Sequence, residues 1–407
     1  MDTSEVMTTQ SGETSLESTL LQPWLEGFDK IREFFDEEVH ASVLRLCSDG
    51  SFVNLLTEFF AHAQTSSNNE SLNNTLRETL SNLNSAKTIK ELQLLVNDIA
   101  TPIINDSITK LSFSGLDQLS PDRHYLFISN HRDILMDPLL LNFLLHHHQH
   151  KTAHCAIGDN LLKNNIALEF ALLNKCFKIL RSITSPREIL KAMKLQSAYI
   201  RHLSFNRSSN IWIAQKEGRS KDNLDKTNPA LIKMLGLEKP KEMAFGEYID
   251  HLNIVPVSFS YEWDPCDIDK ATELEITEQQ GHYKKQAIED LTAVKKGLFG
   301  SKGAVHVHFD NELLDGPLKE LKHLEIAERI DQSIIQNRLT FPVNHAAELA
   351  LPASSATKSS SIRPTGQSHF SDEQIKSASV ELNNRLQHCS PEVRQRVLLN
   401  YAAHSMN

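Results

Sequence analysis

The run FISNHRDILMDPLLL, residues 127–141, sets one imidazole, His131, and two carboxylates, Asp133 and Asp137, between an apolar stretch that stops at Ser129 and a leucine-rich helix. A histidine with a pKa near ~6.5 can take a proton from an alcohol at neutral pH when a carboxylate fixes its tautomer and stabilises the imidazolium. His131 with Asp137 or Asp133 is therefore a candidate base dyad. The same letters have a plainer reading. Asp137-Pro138 is a common helix start, with Asp as N-cap and Pro at the first helical position, and Asn130 or Asp133 can close a turn.

A second run, IWIAQKEGRSKDN (211–223), is another apolar stretch that ends in a charged turn. Gly218 lets the chain turn tightly, and Arg219 offers the planar, bidentate grip that suits a phosphate, with Lys216, Glu217 and Lys221 beside it. A solvated turn with Arg219 in a surface ion pair is the alternative. In CFKILRSITSPRE (176–188), Arg181 follows apolar residues, where an arginine often does no more than lay its stem on apolar surface. Pro256 interrupts NIVPVSFSYE, a run that otherwise reads as a strand; a proline there implies an edge strand, a bulge or a strand end.

These residues need a frame to bring them together. Between residues 111 and 310, short β-branched or aromatic runs (124–129, 152–157, 210–214, 254–261, 304–309) alternate with helical patterns (138–148, 161–175, 186–204, 281–297). The alternation predicts an α/β fold, a central mixed sheet flanked by helices, with reactive residues at the carboxyl edge where strands give way to loops. Apolar residues at helical spacing from Trp24 to about Ile104 predict an N-terminal helical region, 21–110, after a Ser/Thr-rich, disordered stretch, 1–20. The α/β unit is then 111–350, followed by a Pro/Ser-rich linker, 351–371, and a short C-terminal helical tail, 372–407.

Composition narrows the function. The 407 residues include 42 Lys+Arg against 52 Asp+Glu, a formal charge of −10, and no basic block of the kind non-specific nucleic-acid binding requires. An anionic ligand must be met by a local constellation. Five cysteines, none in a CxxC pair, and an N-terminus with neither a basic nor an apolar leader predict a reducing, cytoplasmic compartment. The longest uncharged apolar run, 138–150, falls short of the ~17–25 residues of a membrane span. His146, His147, His148 and His150 fit no zinc pattern and read as a solvated helix end. His306 and His308 share one strand face, but an ordinary imidazole pair is the commoner meaning, so no metal is expected.

Taken in order, NHRDILMDP, CFKILRS, KEGRS and IVPVSF resemble the four-block pattern of the glycerolipid acyltransferase family, which includes glycerol-3-phosphate and 1-acylglycerol-3-phosphate acyltransferases. The resemblance spans residues 111–314 and rests chiefly on the first and third blocks. It implies that His131 is the general base on the acceptor hydroxyl with Asp137 in support. It implies further that Arg181, Glu217, Gly218 and Arg219 hold the acceptor phosphate, with Lys216 and Asn130 alongside, and that Pro256 lies near the acyl-donor pocket. The family has four residues between its histidine and aspartate, whereas five, 132–136, separate His131 from Asp137. Asp137 is the assigned partner because Pro138 and the leucines match the residues that come after the family's aspartate; Asp133 is the alternative. Leu180 stands where the family often has an acidic residue before the second-block arginine.

The resemblance implies direct transfer of a fatty acyl group in phospholipid biosynthesis, without an acyl-enzyme, cofactor or metal. The donor is an acyl-CoA or acyl carrier protein thioester, and the acceptor a hydroxyl of glycerol 3-phosphate or 1-acylglycerol 3-phosphate. Lipid products imply a cytoplasmic protein working peripherally at the inner face of the cytoplasmic membrane. Apolar residues within 139–145 and 161–177 could dock there unless the core claims them. Two rivals come from other classes: a serine hydrolase, whose GxSxG elbow is absent, and a lipid- or protein-binding scaffold whose α/β core has lost catalysis.

Overall fold

The computed structural model describes residues 27–63, 69–161, 165–222, 226–286, 289–311, 320–352 and 370–406. The stretch expected to be disordered, 1–20, and most of the expected linker lie outside them. Strand β2 (Leu126–Ser129) shows why the middle of the sequence folds as it does. Leu126 and Ile128 face one side, Phe127 faces the other, and all three are sealed from solvent. Six more strands complete the sheet: β1 (Lys110–Ser114), β3 (His154–Gly158), β4 (Cys176–Ile179), β5 (Ile211–Ala214), β6 (Ile254–Tyr261) and β7 (Ala304–Phe309). Their order is β1-β7-β6-β2-β5-β3-β4. β2 runs parallel to its neighbours β5 and β6, whereas β7 is antiparallel to β6 and carries β1 parallel to itself, so the sheet is mixed, as expected.

Helices α1 (Asp36–Ser48), α2 (Gly50–Ala63), α3 (Asn69–Ser85) and α4 (Ile89–Ser107) precede β1. Helix α5 (Met136–His147) follows β2 and packs on one face of the sheet, where Leu140, Leu141, Leu144 and Leu145 meet Phe127, Val255, Val257 and Phe309. Burial of each such leucine is worth ~1.5–3 kcal/mol. These side chains are core, and the expectation that they could serve a membrane face gives way. After β3 comes α6 (Asn165–Leu173), which buries Leu172 and Leu173 and rests Ile166 and Phe170 on the N-terminal helices. The other sheet face is covered by α7 (Pro186–Arg201), α8 (Pro229–Leu235), α9 (Phe245–His251) and α12 (His323–Gln336), whose Tyr199, Ile200, Ile232, Ile249 and Ile330 enclose Leu126, Ile128, Ile211 and Ile213. Helices α10 (Asp267–Gln280) and α11 (Glu289–Phe299) lie between β6 and β7. Helices α13 (Pro342–Ala350), α14 (Asp372–Arg385) and α15 (Pro391–Met406) close a separate apolar cluster on Trp263 through Phe341, Leu382, Val397 and Tyr401.

Several local expectations change. β1 and β4 fall outside the anticipated strands because both are short edges with part of their surface polar or half-buried, which breaks the apolar run of a central strand. The helix expected over 281–297 begins only at Glu289, whose carboxylate takes the Gln286 N–H at 2.9 Å. Before it lies α10, which goes unanticipated because it is a carboxylate-rich helix with too few apolar residues to show a stripe. Pro256 sits in an interior strand, not an edge: β6 lies between β7 and β2. It is tolerated because it lies one residue past the last β6/β7 pair, Val257 with Phe309, where β7 has ended and Asp310 N–H reaches the Pro256 carbonyl at 2.9 Å.

The segment before α1 guards the β4 edge. Lys178 N–H donates to the Ile31 carbonyl at 2.7 Å, and Phe28 and Ile31 are buried in the sheet-face core. Two residues on, Glu33 is 2% exposed and takes hydrogen bonds from Arg207 Nη1 at 2.6 Å and from the Tyr199 hydroxyl, with His154 Nδ1 3.2 Å away.

Candidate active site

Strand β2 ends at Ser129, and the chain wraps around a single carboxylate. Asp137 lies in the first turn of α5, fully buried, and its side chain points back over the loop. Its Oδ2 takes the Arg132 N–H at 2.6 Å and the Asp133 N–H at 2.9 Å, and lies 2.9 Å from His131 Nδ1; its Oδ1 takes the Tyr261 hydroxyl at 2.8 Å. Coiling of residues 132–136 about the carboxylate absorbs the extra residue in the loop, so the longer spacing still pairs His131 with Asp137. With the carboxylate as acceptor, the imidazole proton belongs on Nδ1, which leaves Nε2 as the lone-pair nitrogen. The His131 side chain is 13% exposed, and its ring meets the edge of Trp212 at 5.7 Å.

Asp133, the alternative partner, is placed elsewhere. Its Oδ1 accepts the N–H groups of Leu135 and Met136 at 3.0 and 2.8 Å, closing the start of α5, and no hydrogen bond joins it to the imidazole among the described residues. Burial, and then the neighbouring Asp137, raise its pKa. A Cβ on Gly297 of α11 would stand 2.1 Å from Asp133 Oδ2, so glycine there is what lets the helix close on the turn. Asn130 also departs from its expected role. Its amide donates to the Phe259 carbonyl at 3.0 Å and accepts from the Phe259 N–H at 2.8 Å, which makes it a fully buried strut from the end of β2 to β6. Pro256 is buried at the level of Ile128, inside the sheet.

The loop after β5 runs beside this turn because β5 pairs with β2 and continues the pairing past its end. Gln215 N–H reaches the Ser129 carbonyl at 2.8 Å, and Ser220 N–H reaches the His131 carbonyl at 2.7 Å. Lys216 is half-buried and Glu217 exposed; Gly218 turns the chain at φ +79°, a conformation that disfavours any side chain. Arg219 is partly buried. Burial works against its charge, but Cys266, Asp133 and Asp264 nearby raise its pKa. Its Nη1 is buried without a hydrogen-bond partner among the described residues. Arg181, beyond the end of β4, meets Glu217 Oε1 at 3.3 Å, and its own N–H is held by Asp159 at 3.0 Å. At 29% and 66% side-chain exposure, the Arg181–Glu217 pair is worth at most ~1 kcal/mol and yields easily to a competing anion. The structure thus brings His131, Asp137, Glu217, Gly218, Arg219 and Arg181 to one edge of the sheet.

Residues 110–257, about a third of the chain, match the family model described as Acyltransferase. This stretch is similar to the acyltransferase family. The resemblance read from the four sequence blocks is borne out over this stretch, which contains the first three and ends within the fourth. Among solved structures, the chain is similar to the crystal structure of the 1-acyl-sn-glycerophosphate acyltransferase PlsC from Thermotoga maritima, with 13% sequence identity and a TM-score of 0.35 over 78% of this chain and 93% of that one. No curated protein matches the chain.

The His131–Asp137 turn depends on groups that carry no sequence signature of their own. Tyr261 completes the cage around Asp137 from the end of β6, and Trp212 fixes Ser129 Oγ through its indole N–H at 2.9 Å while bordering His131. Neither carries a local signature. Only the pairing of β6 and β5 with β2 brings them to the site.

Proposed function

We propose that the protein transfers a fatty acyl group from a thioester, acyl-CoA or acyl carrier protein, to a hydroxyl of glycerol 3-phosphate or 1-acylglycerol 3-phosphate. His131 Nε2 takes the hydroxyl proton as the alcohol oxygen attacks the thioester carbonyl. Asp137 holds the ring and stabilises the imidazolium, which gives the proton to the departing sulfur as the C–S bond breaks, leaving the ester and the free thiol. No acyl-enzyme forms in this scheme. The observation that carries it is the 2.9 Å contact between His131 and a buried, fully engaged Asp137, within the stretch similar to the acyltransferase family and bonded through its backbone to the Arg219 loop. The unpartnered Arg219 Nη1 supports Arg219 as the phosphate clamp, with Arg181 able to turn from Glu217 to the same anion.

Thiol release from palmitoyl-CoA should depend on adding glycerol 3-phosphate or its 1-acyl derivative; hydrolysis at an unchanged rate without either acceptor would refute the transfer. Arg219→Ala should raise the acceptor KM about 10- to 100-fold, the ~1.5–3 kcal/mol of a charge-assisted hydrogen bond, and alter kcat less. An unaltered acceptor KM would remove Arg219 from the clamp.

No helix among the described residues is long and apolar enough to cross a membrane. We propose peripheral association, since the substrates and products are lipids. The protein should float with liposomes in a density gradient, and recovery wholly in the lipid-free fractions would contradict this.

A further inference from the structure

The peptide group between Arg132 and Asp133 is gripped at both ends. Its N–H donates to Asp137 Oδ2 at 2.9 Å, and its carbonyl accepts from Lys270 Nζ at 2.7 Å. Lys270 is 1% exposed and also bonds Asp264 Oδ2 at 2.5 Å. A buried lysine–carboxylate pair is a poor device for stability, because removing both charges from water costs about as much as their attraction returns. What this pair supplies is placement. The ammonium polarises the peptide and fixes the plane whose other end orients the carboxylate behind His131.

Lys270 is itself held from far along the chain. It sits in the first turn of α10, next to Asp264 and Asp267, which are gripped by the C-terminal helices. The Tyr401 hydroxyl donates to Asp267 Oδ2 at 2.8 Å and accepts the Asp264 N–H at 3.0 Å. Arg385 Nη2 donates to Asp267 Oδ2 at 2.9 Å and to the Asp264 carbonyl at 3.2 Å, with its guanidinium over Trp263. A continuous set of hydrogen bonds therefore runs from α14 and α15 through Lys270 to the turn that carries the dyad.

We propose that Lys270 is a positioning residue for acyl transfer, and that the C-terminal helices act through it to set the His131–Asp137 turn. The inference rests on the dyad reading above. Loss of the clasp should affect the chemical step most, since Lys270 bonds the dyad turn directly, whereas Arg219 meets the clasp only through the neighbouring charge of Asp264 and Arg181 stands apart from it. With palmitoyl-CoA and glycerol 3-phosphate or its 1-acyl derivative, Lys270→Met should lower kcat by about 10- to 100-fold, the cost of a small misplacement, with both KM values nearly unchanged.

Tyr401→Phe, which keeps the packed ring, should lower kcat in the same direction by less. The double variant should be no slower than Lys270→Met alone, because both act through one clasp. Multiplying effects in the double variant would mean two independent structural defects and would overturn the coupling. Wild-type kcat in a folded Lys270→Met, alongside an inactive His131→Ala, would remove the positioning role and leave the dyad standing. An active His131→Ala would instead remove the dyad reading itself. Should Lys270→Met not fold, wild-type kcat in Tyr401→Phe decides against the coupling.

Discussion

His131→Ala should lower kcat about 10²- to 10⁴-fold, the usual contribution of a positioned general base, and lower kcat/KM equally, because a base acts only in the transition state. The substitution is clean for a structural reason. Asp137 keeps the Arg132 and Asp133 N–H groups on Oδ2 and the Tyr261 hydroxyl on Oδ1, so its buried charge stays compensated and the turn keeps its shape. Removing the carboxylate would be less informative, since it would strip those three donors of their acceptor inside the protein and cost stability as well as activity. Steady-state kinetics with palmitoyl-CoA, on protein whose circular dichroism matches the wild type, reads the effect. Activity within a few-fold of wild type would exclude His131 as the base.

The second large effect is acid lability seated at the β4 edge. Burial pushes the His154 imidazole down to about 4 from 6.5. The unfolded chain then binds a proton that the folded state refuses between those two values, so stability is full above pH 6.5 and falls as pH drops toward 4. At 1.36 kcal/mol per pKa unit, this residue alone accounts for a loss on the order of 3 kcal/mol. Burial and the neighbouring His308 likewise bring His306 down to about 4, which adds to the same window. Glu33 extends the loss. Burial pushes its pKa up, but the hydrogen bond from Tyr199 and the Arg207 guanidinium hold it well below the usual carboxylate range, so its contribution disappears as pH falls below about 4.5. Urea midpoints should decline steadily from pH 7 to pH 4; a flat profile would show that these groups are not buried in the charge states assigned to them.

How much of this was legible depends on where each element sits. β2, β5 and β6 are legible because both of their faces are covered, which forces near-continuous apolar runs, and β7 because Val305, Val307 and Phe309 alternate with half-buried residues. β1 and β4, at the two edges, escaped notice for the converse reason. The loops after β2 and β5 were readable because a strand that ends in charge is a local pattern. The partner of His131 was not decidable by spacing alone: five intervening residues suit Asp137 only once the loop coils around its carboxylate. Asn130 reads as a ligand beside a catalytic candidate, and its bonds to the backbone of Phe259, 129 positions away, leave no trace in the local sequence. Tyr261 and Lys270 lie beyond such reading altogether, since their importance comes from strand order and from helices that no short motif records.

The far edge of the sheet imposes a timetable on biosynthesis. β1 pairs only with β7, and Ser112 meets its partner His306 across 194 positions. At translation rates of about 5–20 residues per second, β1 waits on the order of 10–40 s for its only neighbour to emerge. β6 emerges late in that interval, and until β7 follows it on the order of 2–9 s later it has no strand on its β7 side. Yield of native protein should therefore be sensitive to anything that slows elongation between these two strands.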